Sequence, residues 1–211
     1  MNEPLRVVCF GDSITGLRPR EPYHHQFLKF SDLLGLMLEA RLGMGSATVL
    51  NRGWAGQISV EAHERLQGDL LDEKPDIAVV LLGGNDVGQL GAYHADTRAS
   101  LLAIFSSLHE SGIKTLALQY PLLVNPDSPE TAWRHLIENN GLIAEIAAPL
   151  GIPVLDMEPV MQEAALHTPL ASLVSLVDGV HSNFGGEMVY ARAIFTRLDE
   201  LGWLNLSDGR I

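Results

Sequence analysis

The sequence predicts an α/β fold in which a parallel β-sheet is covered by helices on both faces. Short apolar, β-branched runs alternate with longer segments of helical periodicity, in the order β-α-β-α-β-α-β-α-β-α. The third run, residues 77–82, is apolar at every position, which is typical of a strand buried on both of its faces. Strands that alternate with helices favour a parallel sheet, so we expect five parallel strands between two helical layers.

The predicted elements follow from the apolar spacing and from the residues that end each run. We expect strands at residues 5–10, 48–50, 77–82, 114–118 and 153–156. We expect helices at residues 28–42, 59–71, 95–111, 131–150 and 184–201, and a partly helical stretch at 158–176 that Pro169 interrupts. Gly43 is placed to end the first helix, and Ser59 is a candidate N-cap of the second. The proline-containing stretch 119–130 is expected to be a loop.

Length and charge narrow the classes of partner. The chain has 211 residues, and 26 Asp and Glu against 14 Lys and Arg give a formal net charge of −12. This length predicts a single domain spanning residues 1–211. The acidic balance and the lack of a Lys/Arg run argue against nucleic acid and anionic membrane surfaces, because both attract clustered basic residues. No oligomeric state is predicted.

Two further observations bear on the location of the protein and on whether it can form a disulfide or a cysteine-based zinc site. No stretch approaches the roughly 20 apolar residues of a membrane-spanning helix, and no apolar segment of signal-peptide length precedes Gly11. A cytoplasmic location is therefore the default expectation. The single cysteine, Cys9, allows neither an intramolecular disulfide nor a cysteine-based zinc site. Its place in an apolar run predicts a buried small hydrophobe.

Residues with catalytic chemistry follow the predicted strands. Ser13 lies in the turn after the first strand, Gly56 follows the second, and Asn85 follows the third. In open α/β sheets, ligands bind beyond the carboxyl ends of the strands, so these residues are expected on the ligand side. Asp178 and His181 lie three positions apart in a late loop, where a carboxylate can orient an imidazole that acts as base and acid.

Each of these residues also has a purely structural interpretation. Ser13 could cap a helix, and Gly56 and Asn85 could hold ordinary turns. His181 could be an incidental surface residue, since the chain has 8 histidines. The plain interpretation is the better one for Ser13 taken alone. Each of these signals is weak by itself, and it is their ordered combination that favours catalysis.

Two other chemistries are weighed and not favoured. Asp12 and Asp86 could form a paired-carboxylate site of the glycosidase kind, but that leaves Asp178 and His181 without a role. We expect both aspartates to accept backbone N–H groups in turns instead. A dinucleotide site would need Gly-x-Gly-x-x-Gly after the first strand, and residues 11–16 lack that spacing.

Four ordered blocks resemble the GDSL or SGNH hydrolase superfamily. They are Gly-Asp-Ser-Ile at residues 11–14, Asn-x-Gly-x-x-Gly at 51–56, Gly-Gly-Asn-Asp at 83–86 and Asp-Gly-Val-His at 178–181. The resemblance implies a flavodoxin-like three-layer α/β/α sandwich that hydrolyses esters through an acyl-enzyme. It implies that Ser13 is the nucleophile, that His181 is the general base and acid, and that Asp178 orients the histidine. The implied oxyanion donors are the Ser13 N–H, the Gly56 N–H and the Asn85 side chain.

The substrate prediction is a small-molecule ester, in particular an acetyl ester of a carbohydrate or a similar polar molecule. It rests on the polar segment after Ser13, which has no long apolar flap for a lipid chain. His24, His25, Trp54 and Tyr120 are the candidate substrate contacts, and neither a cofactor nor a metal is expected. The alternatives are a thioesterase, lysophospholipase or arylesterase of the same superfamily, or a flavodoxin-like binding module without catalysis.

Overall fold

The computed structural model describes residues 3–16, 28–86, 95–122, 130–175 and 181–205. Within these ranges, five strands form one sheet in the order β2-β1-β3-β4-β5, and every neighbouring pair is parallel. The strands are β1 Leu5–Gly11, β2 Ala47–Gly53, β3 Ile77–Leu81, β4 Lys114–Gln119 and β5 Val154–Asp156. The predicted α/β fold with a five-stranded parallel sheet is confirmed, and its strand order is the flavodoxin-like one.

Helices connect the strands. The described ranges contain α1 Phe30–Leu42, α2 Ser59–Glu64, α3 Leu66–Asp69, α4 Ala95–Glu110, α5 Glu130–Ala147, α6 Met157–Ala165, α7 Leu170–Leu173 and α8 Phe184–Glu200. Two 3₁₀ turns, Leu71–Glu73 and Ala148–Leu150, complete them. In the part of the chain that is described, no helix has the length and apolar character that crossing a membrane would require.

Two hydrophobic cores lie on opposite faces of the sheet. In β3, Ile77, Val79 and Leu81 pack with α1, α6, α7 and α8, whereas Ala78 and Val80 pack with α2 to α5. Side chains of a strand point alternately to the two faces, so a strand between two cores must be apolar at every position. This explains why the third run of the sequence shows no polar alternation.

The predicted second helix, residues 59–71, is broken into three pieces. Arg65 stands between α2 and α3 with φ −96° and ψ 1°, and Leu70 separates α3 from the first 3₁₀ turn. The prediction that Ser59 caps this helix is wrong, because Ser59 is its first residue and donates its backbone N–H to Asp86 at 3.0 Å. The first break is at Arg65, whose side chain contacts the ends of β1 and β2, as described below.

The sheet register brings three strand ends together. Gly11, the last residue of β1, pairs with Gly53 of β2 and with Leu81 of β3. The turns that follow these three strands therefore begin side by side, at the carboxyl edge where such folds bind ligands. Ser13 lies in the central turn, with the segment containing Gly56 on one side and the segment containing Asn85 on the other.

Candidate active site

The fold brings a serine and a histidine from distant parts of the chain into contact. The Ser13 hydroxyl oxygen lies 2.8 Å from Nε2 of His181, across 168 positions of sequence. Both side chains are nearly buried, at 5% and 8% exposure. Ser13 follows β1, and His181 lies just before α8. A serine hydroxyl that donates to an imidazole can be deprotonated as it attacks, so this pair has the geometry of a nucleophile and its base.

Asp12 holds the turn that contains Ser13. Its Oδ1 accepts the Ile14 N–H at 2.9 Å, and its backbone carbonyl accepts the Gly16 N–H at 2.8 Å. Its Oδ2 accepts the hydroxyl of Tyr120 at 2.6 Å. Burial raises the pKa of Asp12 to about 6, although the hydrogen bonds from Tyr120 and Ile14 act to lower it. The Asp12 carboxyl group therefore holds the turn by hydrogen bonds, although burial destabilises its ionised form.

Tyr120 lies between the turns after β1 and β3, and its predicted contact with a substrate stays a prediction. It is only 3% exposed, and while its hydroxyl donates to Asp12 it also accepts the Gly84 N–H at 3.1 Å. Asn140 of α5 brackets its backbone, accepting its N–H at 2.9 Å and donating to its carbonyl at 2.8 Å. We therefore assign Tyr120 a supporting role, in which it links the turn after β1 to the turn after β3.

The segment after β2 is tied to the serine turn by backbone and amide hydrogen bonds. Trp54 donates its backbone N–H to the Gly11 carbonyl at 2.9 Å. Asn51 donates its side-chain amide to the Thr15 carbonyl at 2.7 Å. Gly56 has φ +75°, a left-handed conformation that glycine adopts without strain. The Trp54 side chain is 55% exposed, which leaves it available to a ligand.

The segment after β3 presents an amide in a fixed direction. Asn85 donates from Nδ2 to the Gln57 carbonyl at 3.1 Å. An amide carries two N–H hydrogens, so this bond uses one and fixes the direction of the other. Asp86 accepts the Ser59 N–H, as Asp12 accepts that of Ile14, so the expectation that both aspartates hold backbone N–H groups is confirmed.

The backbone around His181 is anchored to the segment after α7. Ser175 donates its N–H to the His181 carbonyl at 2.8 Å, and Ser182 forms an antiparallel bridge with Val174. Asn183 donates its backbone N–H to the Leu173 carbonyl at 2.9 Å. The predicted partner Asp178 and the predicted contacts His24 and His25 lie outside the described residues, so their roles stay predictions.

Cys9 is excluded as a rival nucleophile. It is fully buried in β1, as predicted, and burial raises the pKa of its thiol to about 12. A thiol that does not ionise near neutral pH is a poor nucleophile. Within the described ranges, no group of three or more His, Cys, Asp and Glu residues is placed to hold a metal ion.

Sequence reasoning missed three supporting features. One is a buried ion pair, in which Lys29 Nζ lies 2.5 Å from Glu187 Oε1, at the starts of α1 and α8. The second is Arg65, whose guanidinium donates to the carbonyl groups of Gly11 and Arg52. The third is Asn139, which donates to the Leu82 carbonyl at 3.1 Å from within α5. Two consecutive asparagines inside a helical pattern, at 139 and 140, were a signal that could have been used, since asparagine is a weak helix former.

The chain matches the sequence profile of the GDSL-like lipase/acylhydrolase family over residues 9–184. The chain belongs to this family. The family is named for lipases and acylhydrolases, which are ester hydrolases. The profile match covers the three strand-end segments and His181.

Solved structures share the fold. LAE5, an α/β hydrolase enzyme from the metagenome of Lake Arreo in Spain, is 21% identical, with a TM-score of 0.77 over 97% of this chain and 98% of its own. Axe2, an acetylxylan esterase from Geobacillus stearothermophilus, is 20% identical, with a TM-score of 0.73 over 96% and 97% of the two chains. At these identities the likeness establishes the architecture alone.

A curated relative matches part of the chain. It is an uncharacterized lipoprotein, YqeF, of Bacillus subtilis (strain 168), 33% identical over 84 residues. The matched segment is 40% of this chain and 33% of the lipoprotein, so the chain spans about a third of that protein's length.

Proposed function

We propose that the protein is a serine esterase that works through an acyl-enzyme, with small acyl esters of a carbohydrate or similar polar molecule as substrates. The observation that carries this proposal is the 2.8 Å hydrogen bond between Ser13 Oγ and His181 Nε2. It joins a hydroxyl in the turn after β1 to an imidazole, a side chain that can serve as both base and acid, at the ligand-binding edge of the sheet.

The proposed reaction begins with attack of Ser13 Oγ on the acyl carbon while His181 Nε2 takes the hydroxyl proton. His181 then gives that proton to the departing alcohol oxygen, and the acyl group remains on Ser13. Water repeats the sequence, with His181 again as base, and releases the carboxylic acid. Asp178 is proposed to accept a hydrogen bond from the Nδ1–H of His181 and to stabilise the imidazolium in both steps.

The proposed oxyanion donors are the Ser13 N–H, the Gly56 N–H and the Asn85 Nδ2. They follow β1, β2 and β3, whose ends are adjacent. The Asn85 amide is oriented by Gln57, so it would need little reorganisation when charge develops on the carbonyl oxygen. In comparable sites, each such donor lowers the barrier by roughly 3–4 kcal/mol.

The structural neighbours add support for the roles. Catalytic mutants of the acetylxylan esterase Axe2 replace a serine, an aspartate or a histidine with alanine, and the aspartate and histidine are 3 positions apart. Asp178 and His181 have the same spacing. The polar sequence of the segment from Gly16 to Phe30 favours a polar alcohol group over a lipid chain.

Hydrolysis of p-nitrophenyl acetate tests the mechanism. We expect Ser13→Ala and His181→Ala to lower kcat by on the order of 10⁴ or more, because the two residues act as one unit. Ser100→Ala, which removes a different nearly buried hydroxyl on α4, is the control and should retain wild-type turnover. A fluorophosphonate probe should add its mass at Ser13. Wild-type turnover in Ser13→Ala, or labelling at another residue, would overturn the mechanism.

A panel of esters tests the substrate class. Acetylated xylo-oligosaccharides and p-nitrophenyl esters of increasing acyl length should give the highest kcat/KM for acetyl groups. A preference for long acyl chains or for thioesters would instead identify a lysophospholipase or a thioesterase of the same family. Release of acetate from acetylated sugars can be followed directly, independently of the p-nitrophenyl leaving group.

A further inference from the structure

Arg65 reaches the ends of two neighbouring strands at once. From the break between α2 and α3, its guanidinium donates to the Gly11 carbonyl at 3.0 Å and to the Arg52 carbonyl at 2.9 Å. Gly11 ends β1 just before Asp12 and Ser13, and Arg52 lies one residue before the end of β2. A single planar side chain therefore spans the gap between the serine turn and the segment that leads to Gly56.

The same guanidinium lies between two aromatic rings. Its central carbon is 4.2 Å from the centre of the Phe10 ring and 5.1 Å from that of Trp54. A guanidinium stacked on aromatic faces is attracted by their quadrupoles, most strongly where water is excluded. The Arg65 side chain is 11% exposed and Phe10 is fully buried, so that contact is shielded from water, whereas the Trp54 ring is 55% exposed. Burial lowers the pKa of Arg65, and the hydrogen bond to Asp69 opposes that shift.

Gln57 extends this network to the third strand end. Its side-chain carbonyl accepts the Nε–H of Arg65, and its backbone carbonyl accepts the amide of Asn85 at 3.1 Å. The Gly11 carbonyl accepts both Arg65 and the Trp54 backbone N–H, which fills its two lone pairs. The segment from Trp54 to Gln57, which contains Gly56, is thus held through Arg65 at both of its ends.

We propose that Arg65 is a positioning residue that holds the segment 53–57 in register with Ser13 and Asn85, so that the oxyanion donors converge on one point. This inference rests on the proposed function for its catalytic consequence, although the holding of the segment can be measured separately. Lysine would keep the charge but offers a point donor in place of a planar fork, so it cannot serve two carbonyls and a glutamine together.

Hydrogen exchange and kinetics on the full chain together test the proposal. The variants are Arg65→Ala and Arg65→Lys, and the matched control is Arg98→Ala, which removes an exposed arginine of α4 bonded to Glu145. Asp69→Asn separates ion pairing from positioning, because it removes the carboxylate at 2.9 Å and leaves both carbonyl contacts. All four are compared at a temperature where circular dichroism shows them fully folded.

We expect backbone amides at 53–57 to exchange about 10-fold faster or more in Arg65→Ala, with the sheet core unchanged. With p-nitrophenyl acetate, kcat should fall by about 10²-fold with KM within about 3-fold, because misplaced donors affect the transition state and not substrate binding. Arg65→Lys should remain at least about 10-fold below wild type, and millimolar guanidine should partly restore Arg65→Ala. In Asp69→Asn, kcat should fall by no more than about 3-fold.

Several results would overturn the proposal. One is amide exchange at 53–57 in Arg65→Ala that equals the exchange in Arg98→Ala, and another is an effect of Arg65→Ala on KM alone. The others are full activity in Arg65→Lys, or a loss of kcat in Asp69→Asn as large as that in Arg65→Ala. If wild-type protein hydrolyses no ester, the proposed function fails, and the exchange data alone then decide whether Arg65 holds the segment.

Discussion

Replacing Tyr120 with phenylalanine should destabilise the protein more at alkaline than at acidic pH. The change removes a hydroxyl that donates to Asp12 at 2.6 Å and accepts the Gly84 N–H at 3.1 Å. The ring itself fits the same buried space. The variant therefore isolates two hydrogen bonds, and one of them depends on the charge of a carboxyl group.

The sign follows from the Asp12 pKa, which burial raises from 3.8 to about 6. Between these values the folded state holds a proton that the unfolded state releases, so the free energy of unfolding falls as pH rises and levels off above about pH 6. The cost of the ionised carboxylate in the folded state is about 3 kcal/mol. Without the Tyr120 hydroxyl, the Asp12 pKa should rise further, and each additional unit costs about 1.4 kcal/mol at alkaline pH.

We expect Tyr120→Phe to lower the free energy of unfolding by about 1 kcal/mol at pH 4.5, where Asp12 is mostly protonated in both proteins. At pH 8 the loss should reach about 2–3 kcal/mol, because a hydrogen bond to a charged group is worth more than a neutral one. Lys29 and Asp86 also act on Asp12, but the substitution leaves both in place.

Urea denaturation at the two pH values measures the effect. The matched control is the same substitution made in an Asp12→Asn background, where no carboxyl group remains at position 12 to titrate. There the loss of stability should be the same at both pH values. Equal losses for Tyr120→Phe at pH 4.5 and pH 8 would refute the argument, because they would mean that the hydroxyl does not stabilise an ionised Asp12.

Three further substitutions test other parts of the structure. Gly83→Ala should lower the free energy of unfolding by about 2 kcal/mol or more, since Gly83 has φ +100° and an added Cβ would lie 2.1 Å from Asn139 Oδ1; an unchanged urea midpoint would contradict this. Lys29→Met should lower the free energy of unfolding by about 3–5 kcal/mol, because Glu187 is left buried without its cation. Adding Glu187→Gln should recover part of the lost Tm, and no recovery in the double variant would count against the ion pair. Asp178→Asn should lower kcat less than Ser13→Ala if it orients His181, so an equal or larger loss in steady-state kinetics would require another role.

The fold could be predicted because its signals are local. A parallel strand between two cores is an unbroken apolar run, and residues 77–82 show this directly. The helix at 59–71 was misjudged because its period continues past Arg65, whereas the helix breaks at that residue, whose side chain donates to the carbonyl groups of residues 11 and 52. Periodicity records which face of an element is buried, and it does not record a polar contact made by one side chain.

In the candidate site, too, some residues could be predicted from the sequence and others could not. Ser13 and His181 were predicted because four motifs in order resemble one family, and the structure places the two side chains in hydrogen-bond contact. Tyr120 was correctly placed at a strand end, but the bonds of its hydroxyl to Asp12 and Gly84 join distant positions that the local sequence does not relate. Lys29 and Glu187 are 158 positions apart, and nothing in their local sequence distinguishes them from other charged residues on helices.

The strand order explains why the candidate nucleophile follows an interior strand, here β1, and not an edge strand. In the order β2-β1-β3-β4-β5, β1 has neighbours on both sides, and their carboxyl ends are level with its own. A serine after β1 can therefore be flanked by donors after β2 and β3, whereas a serine after the edge strand β2 would have a neighbour on one side only. Both flanking turns must then be held against the central one, and the contacts that do so are polar and buried, from Tyr120 on one side and Arg65 on the other. A buried polar group that loses its hydrogen-bond partner lowers the stability of the fold. The strand order therefore accounts for our expectation that substitutions of Tyr120 and Arg65, which hold the flanking turns, are among the most damaging.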